Sequence, residues 1–153
     1  MELRPESFYG ENIDELLKQL INSLRLRSGI DIALNIEGKY DPSEEAKEVI
    51  YRITQESVNN SVKHSGADEV TVRLEKKPDR FILSITDNGK GFDIKKISKK
   101  KLGLYIMNQR AVSINSSLDI KSSEGDGTKV SLVYKYKDRD QNGRHEDYQR
   151  LDS

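Results

Sequence analysis

Cysteine and tryptophan are absent from the 153 residues, and neither acid nor base is in excess, with 26 of each. Without cysteine there is no disulfide framework, no thiol nucleophile and no thiolate metal site, which fits a reducing compartment. Two histidines with no cysteine beside them make a poor zinc site. A balanced charge gives no reason to expect nucleic-acid binding or an acidic substrate. No apolar run approaches the roughly 18 to 20 residues of a membrane span, and the N-terminus lacks the apolar core of a signal peptide. The chain is therefore expected to make no membrane contact itself and to work in the cytosol, as it would also if it were part of a membrane-anchored sensor. Its length suits one domain with a core of its own and is short for two.

What is present is hydrophobic periodicity, and it changes period several times. Ile13, Leu16, Leu17, Leu20, Ile21 and Leu24 recur at spacings of three and four, predicting an amphipathic helix from about Asn12 to Arg27, ended by Gly29. Ile30, Ile32, Leu34 and Ile36 alternate with polar residues and predict a half-buried strand stopping near Gly38. Ser43, followed by Glu44 and Glu45, starts a second helix that runs to about Ser65, where Gly66 breaks it. Val70, Val72 and Leu74, a turn at Pro78-Asp79, then Phe81, Leu83 and Ile85 predict two antiparallel strands. A third helix is expected from about Leu102 to Ile114, and two last strands near Ser117 to Lys121 and Lys129 to Tyr136. Residues 1–137 read as one domain. From 138 to 153 aliphatics almost vanish, so that segment reads as a disordered polar tail.

The second helix carries an anomaly. Val49 and Ile53 begin a stripe that continues at helical spacing through Glu56, Asn60 and Lys63. Burying an unpaired carboxylate costs roughly several kcal/mol, so a seam that turns polar needs an internal partner or a ligand. An amide oxygen is a hard ligand suited to magnesium, which keeps several waters and takes phosphate oxygens. Asn60 is thus the candidate metal ligand, and Glu56, one turn away, the candidate base. A solvated helix face with ordinary charge pairing is the plain alternative.

Three later segments bear on that choice. Asp87 shares the strand parity of Phe81, Leu83 and Ile85, so its carboxylate points inward, where an adenine amino group could satisfy it; Gly89 and Gly91 would let backbone approach the base. By itself Asp87-Asn88-Gly89 reads as a turn. Lys90, Lys95, Lys96, Lys99, Lys100 and Lys101 form a cationic connection like a lid over phosphates, leading into Leu102-Gly103-Leu104 at a helix start. Gly125, Gly127 and Thr128 lie in the last hairpin, where Thr128 could close an adenine pocket through a hydroxyl beside Asp87; a plain glycine turn is the default.

In this order the four segments resemble the N, G1, G2 and G3 boxes of the Bergerat-type ATPase domain shared by gyrase, Hsp90, MutL and sensor histidine kinases. Leu3-Arg4-Pro5, Tyr51-Arg52-Ile53-Thr54-Gln55-Glu56 and Lys63-His64-Ser65 resemble more narrowly the histidine kinases that pair with NarL-type response regulators. The resemblance runs from about Leu3 to Tyr136. It implies an α+β fold, a two-layer α/β sandwich with a mixed, mostly antiparallel sheet and about three helices on one face, binding ATP with Mg2+. It implies Asn60 as magnesium ligand, Glu56 as base or polarising acid, and Asp87 as adenine contact. Gly89, Gly91, Gly103, Leu104, Gly125, Gly127 and Thr128 would shape the pocket, and Lys63 would reach phosphate. The resemblance also implies that His64 belongs to the N box and is not the phosphoacceptor. The sequence departs from the pattern where Lys101 replaces the first glycine of the G2 box, and at Ile106, Asn108 and Gln109 in the next helix. The implied activity is transfer of the ATP γ-phosphoryl to a histidine on a separate dimerisation domain, with a response regulator downstream. A serine kinase of the anti-sigma-factor type and a nucleotide-regulated docking module without phosphotransfer are the alternatives.

Overall fold

The computed structural model describes residues 10–93 and 102–135. Leu3-Arg4-Pro5, the lid lysines from Lys95 to Lys101 and the tail at 138–153 lie outside the described residues.

Helix α1, Ile13–Ser28, starts where Asn12 accepts a hydrogen bond from the Glu15 amide at 2.9 Å and stops where Gly29 adopts φ 72°. A left-handed residue is inexpensive there only because glycine has no Cβ. Its six periodic aliphatics are all buried. Strand β1 spans Asp31–Glu37. Helix α2, Glu44–His64, is capped by Ser43, whose hydroxyl accepts from the Ala46 amide at 3.2 Å. Strands β2, Glu69–Lys76, and β3, Arg80–Asp87, follow as a hairpin. Helix α3, Leu102–Ser113, leads to β4, Ser117–Ser122, and β5, Thr128–Lys135.

The five strands form one sheet in the order β1-β2-β3-β5-β4, with β1 parallel to β2 and every other pair antiparallel. A parallel neighbour needs a crossover, and α2 supplies it. Period-two alternation then sorts the side chains: Val70, Val72, Leu74, Phe81, Leu83, Ile85, Val130 and Leu132 are buried. Between them Thr71, Arg73, Thr86 and Lys129 are exposed. Among the described residues one face of the sheet is thus covered by helices and the other is open, the expected two-layer α+β sandwich. Phe81 and Tyr134 meet at 5.1 Å between ring centroids and close one end of the core.

That end also holds buried charges. Lys47 Nζ contacts Asp41 at 2.8 Å and Glu44 at 3.0 Å, while the other Asp41 oxygen caps α1 by accepting from the Ile13 amide at 3.1 Å. Burial works against the charged Lys47, but hydrogen bonds and charges from Asp41 and Glu44 outweigh it and raise its pKa. Lys76 pairs with Asp14 at 2.6 Å. These pairs tie α1 to α2 and to the end of β2, away from the Asp87 end of β3.

Candidate functional site

At the opposite end of the sheet one rung runs Ile32, Val70, Asp87, Thr128, Ser122 across all five strands. Its first two members are aliphatic and its last three are polar. Asp87 keeps the inward parity of Phe81, Leu83 and Ile85 and is buried with them. Its carboxylate is held by three donors: the Ser61 hydroxyl on α2 at 2.6 Å to Oδ2, and to Oδ1 the amides of Gly89 at 2.9 Å and Thr128 at 3.2 Å. A carboxylate offers about four acceptor positions, so about one is left for a ligand.

The turn after β3 is clamped from two sides. Lys90 donates its amide to the Ser65 carbonyl at 2.9 Å, and Gly125 donates to the Lys90 carbonyl at 2.6 Å. The Phe92 amide bonds the Ser122 hydroxyl at 2.9 Å. Gly89 lies so close to Ser65 that a Cβ there would overlap its side chain, and at Gly127, with φ 74°, a Cβ would overlap the Asp87 carbonyl. Asn88 turns outward: its Oδ1 accepts from the Asp68 and Glu69 amides, both at 3.1 Å, fastening the start of β2. Asp87-Asn88-Gly89 is therefore a turn whose first residue also faces the interior.

On α2 the expected stripe begins in the core at Val49 and Ile53, is half-buried at Glu56 and Asn60, and reaches solvent at Lys63. His64 is exposed as well. No side-chain hydrogen bond among the described residues engages Glu56 or Asn60. Asn60 adjoins Ser61, placing the candidate metal ligand one peptide bond from the residue that touches Asp87. The Asn60 amide oxygen is a hard donor that suits magnesium, and the Glu56 carboxylate one turn away stays free to act as the base. Among the described residues no group of three or more His, Cys, Asp or Glu converges as an all-protein metal cage. A single amide ligand fits a cation whose other ligands are phosphate oxygens and water.

The structure brings Asp87, Gly89, Gly91, Gly127 and Thr128 together. Thr128 sits opposite Asp87 as expected, but its amide makes the contact; its hydroxyl pairs instead with that of Ser122 at 2.8 Å. Gly125 is at the exposed tip of the last hairpin, and Gly103 and Leu104 lie in the first turn of α3. Ser61, Ser65 and Ser122 join the site beyond the residues that the sequence pattern points to. The first two had a legible signal, since Ser57, Ser61 and Ser65 recur every four residues and present hydroxyls along one face.

Residues 45–138 match the family model for the histidine kinase-, DNA gyrase B- and HSP90-like ATPases, more than half of the chain. The chain belongs to this ATPase family. Among curated relatives, the sensor histidine kinase LiaS of Bacillus subtilis (strain 168) is 33% identical over 132 residues, covering 86% of this chain and 36% of that protein. The sensor protein VraS of Staphylococcus aureus (strain COL) is 31% identical over 132 residues, covering 86% of this chain and 38% of that protein. The chain thus spans little more than a third of these relatives. The histidine kinase domain of the Erythrobacter litoralis EL346 blue-light activated histidine kinase superposes with a TM-score of 0.65 at 19% identity, over 81% of this chain and 61% of that one, a likeness of fold.

Within this ATPase domain the matched stretch begins at the start of α2 and ends just past β5, so it includes every described residue of the polar cluster. Helix α1 and strand β1 precede it. They complete the domain physically, because β1 covers the outer edge of β2 and α1 buries six aliphatic side chains.

Proposed function

We propose that this chain is the ATP-binding catalytic domain of a two-component sensor histidine kinase, donating the γ-phosphoryl of Mg-ATP to a histidine on a separate dimerisation domain. The observation that carries the reading is the Asp87 carboxylate, buried, triply hydrogen-bonded and with about one acceptor position left. An acceptor held this way suits the 6-amino group of adenine and is repelled by the carbonyl of guanine. Gly89, Gly91 and Gly127 keep side chains out of the way of the base and Thr128 stands beside them, while the family resemblance assigns Gly103, Leu104 and Gly125 to the same pocket.

The phosphates then lie toward the Glu56 and Asn60 face of α2. Asn60 is the protein ligand for magnesium, which when bound neutralises phosphate charge. Lys63, exposed at the end of α2, supplies a further point charge. In the reaction an imidazole nitrogen forms a bond to the γ-phosphorus as the bond to the bridging oxygen of ADP breaks. Glu56 orients that imidazole and accepts its proton. Positioning and charge stabilisation supply the rest of the rate.

The partners in this reading are the histidine-bearing dimerisation domain of the full-length kinase and a response regulator. The NarL-type class of that regulator rests on the sequence segments Leu3-Arg4-Pro5, Tyr51 to Glu56 and Lys63 to Ser65. No helix among the described residues is long and apolar enough to cross a membrane, and the domain would act on the cytosolic side of its sensor. The test is to mix this chain, radiolabelled ATP and the purified acceptor domain. Acid-labile, alkali-stable phosphohistidine on the acceptor is expected; acid-stable phosphoserine, or no label, overturns the reading.

A further inference from the structure

The contact between Ser61 and Asp87 joins two elements 26 positions apart, and at 2.6 Å it is the shortest of the three that reach the carboxylate. The Ser61 hydroxyl has a single hydrogen and two acceptors within reach, Asp87 Oδ2 and the Ser57 carbonyl at 3.0 Å. The negative charge and the shorter distance assign the hydrogen to Asp87. Both residues are buried, so water does not compete for the bond.

The two backbone donors act on Oδ1 alone. They take both acceptor directions of that oxygen, so a ligand donor must come to Oδ2. Ser61 is the one described donor on Oδ2. With both oxygens pinned, the remaining acceptor direction is fixed before any base arrives, which is the condition for a short, oriented hydrogen bond.

We propose that Ser61 is a positioning residue for purine selection: it orients Asp87 so that the pocket favours a base bearing a 6-amino group. This rests on Asp87 being the adenine contact. Ser61 touches no base in this scheme and acts through Asp87.

The experiment is calorimetric binding of ATP and of purine riboside triphosphate, which lacks the 6-amino group, to the wild-type chain, Ser61→Ala and Ser61→Thr, with Asp87→Asn as a second background. The wild type is expected to prefer ATP. Ser61→Ala should reduce that preference about tenfold by weakening ATP and leaving the analogue unchanged, while Ser61→Thr, which keeps a hydroxyl, restores it. In the Asp87→Asn background the Ser61→Ala change should no longer alter the preference. If the wild type binds both nucleotides equally, the adenine role of Asp87 fails and the proposal falls with it. If the wild type discriminates and Ser61→Ala discriminates as well, the adenine contact stands and the role of Ser61 is refuted. Equal weakening of both nucleotides would likewise refute it, reducing Ser61 to a packing residue.

Discussion

Replacing Asp87 by asparagine changes one atom's chemistry and keeps the side chain's shape. The amide oxygen can stay at the Oδ1 position and keep the Gly89 and Thr128 amides, while the amide nitrogen takes the Oδ2 position. It then meets the Ser61 hydroxyl, which can accept from it by turning its own hydrogen to the Ser57 carbonyl 3.0 Å away. Every buried polar group keeps a partner, so the fold should survive. Hydrogen bonds to charged groups are worth about 1.5 to 3 kcal/mol against about 0.5 to 1.5 for neutral ones, so weakening three of them costs about 3 to 4.5 kcal/mol of stability. That is affordable against a typical total of about 5 to 15. For ATP the change is more severe. The ligand loses a charge-assisted bond and its amino group faces an amide N–H, about 3 kcal/mol in all, or roughly a hundredfold in affinity. The same N–H can donate to the carbonyl of guanine, so GTP should weaken far less and the ratio of the two affinities should collapse. Calorimetric titration with both nucleotides, beside a thermal melt to confirm folding, reads all three quantities. A folded Asp87→Asn protein that binds ATP within threefold of wild type would refute the placement of adenine on this carboxylate.

Asn60→Ala should abolish the magnesium dependence of ATP binding, seen by titration with magnesium and with EDTA; an unchanged difference between the two conditions rejects Asn60 as ligand. His64→Ala should leave phosphohistidine formation on the acceptor domain intact, since His64 is an exposed end residue of α2. Gly127→Ala should cost about 2 to 4 kcal/mol in urea denaturation, combining the left-handed penalty with overlap on the Asp87 carbonyl. Gly125→Ala, also at positive φ but with open space around it, should cost only about 1 to 2; equal losses would contradict the packing described. Lys47→Met should cost about 1 to 2 kcal/mol, less than for a fully buried pair because Asp41 and Glu44 are partly open to water. Folding raises the Lys47 pKa, so its stabilisation is complete below the ordinary value of 10.5 and is lost as pH rises through the higher folded value. A denaturation series across that alkaline window should show the loss in wild type and not in Lys47→Met.

The ends of α1 and α2 could be read in the chain because caps are local chemistry: Asn12, Gly29 and Ser43 act within a few residues of themselves. The inward direction of Asp87 was legible for the same reason, since strand parity is a period of two and its three aliphatic predecessors set the phase. So was the polar turn taken by the α2 stripe at Glu56 and Asn60. Strand order has no such local signature. Only the tertiary structure inserts β5 between β3 and β4, and that insertion sets Thr128 opposite Asp87 and sends its amide, not its hydroxyl, to the carboxylate. Only packing of α2 on the sheet makes Ser61 a partner of Asp87, and only the pairing of β3 with β2 brings Asn88 to the start of β2. Periodicity tells a residue which face it is on; what stands on the facing surface depends on contacts between segments distant in the chain.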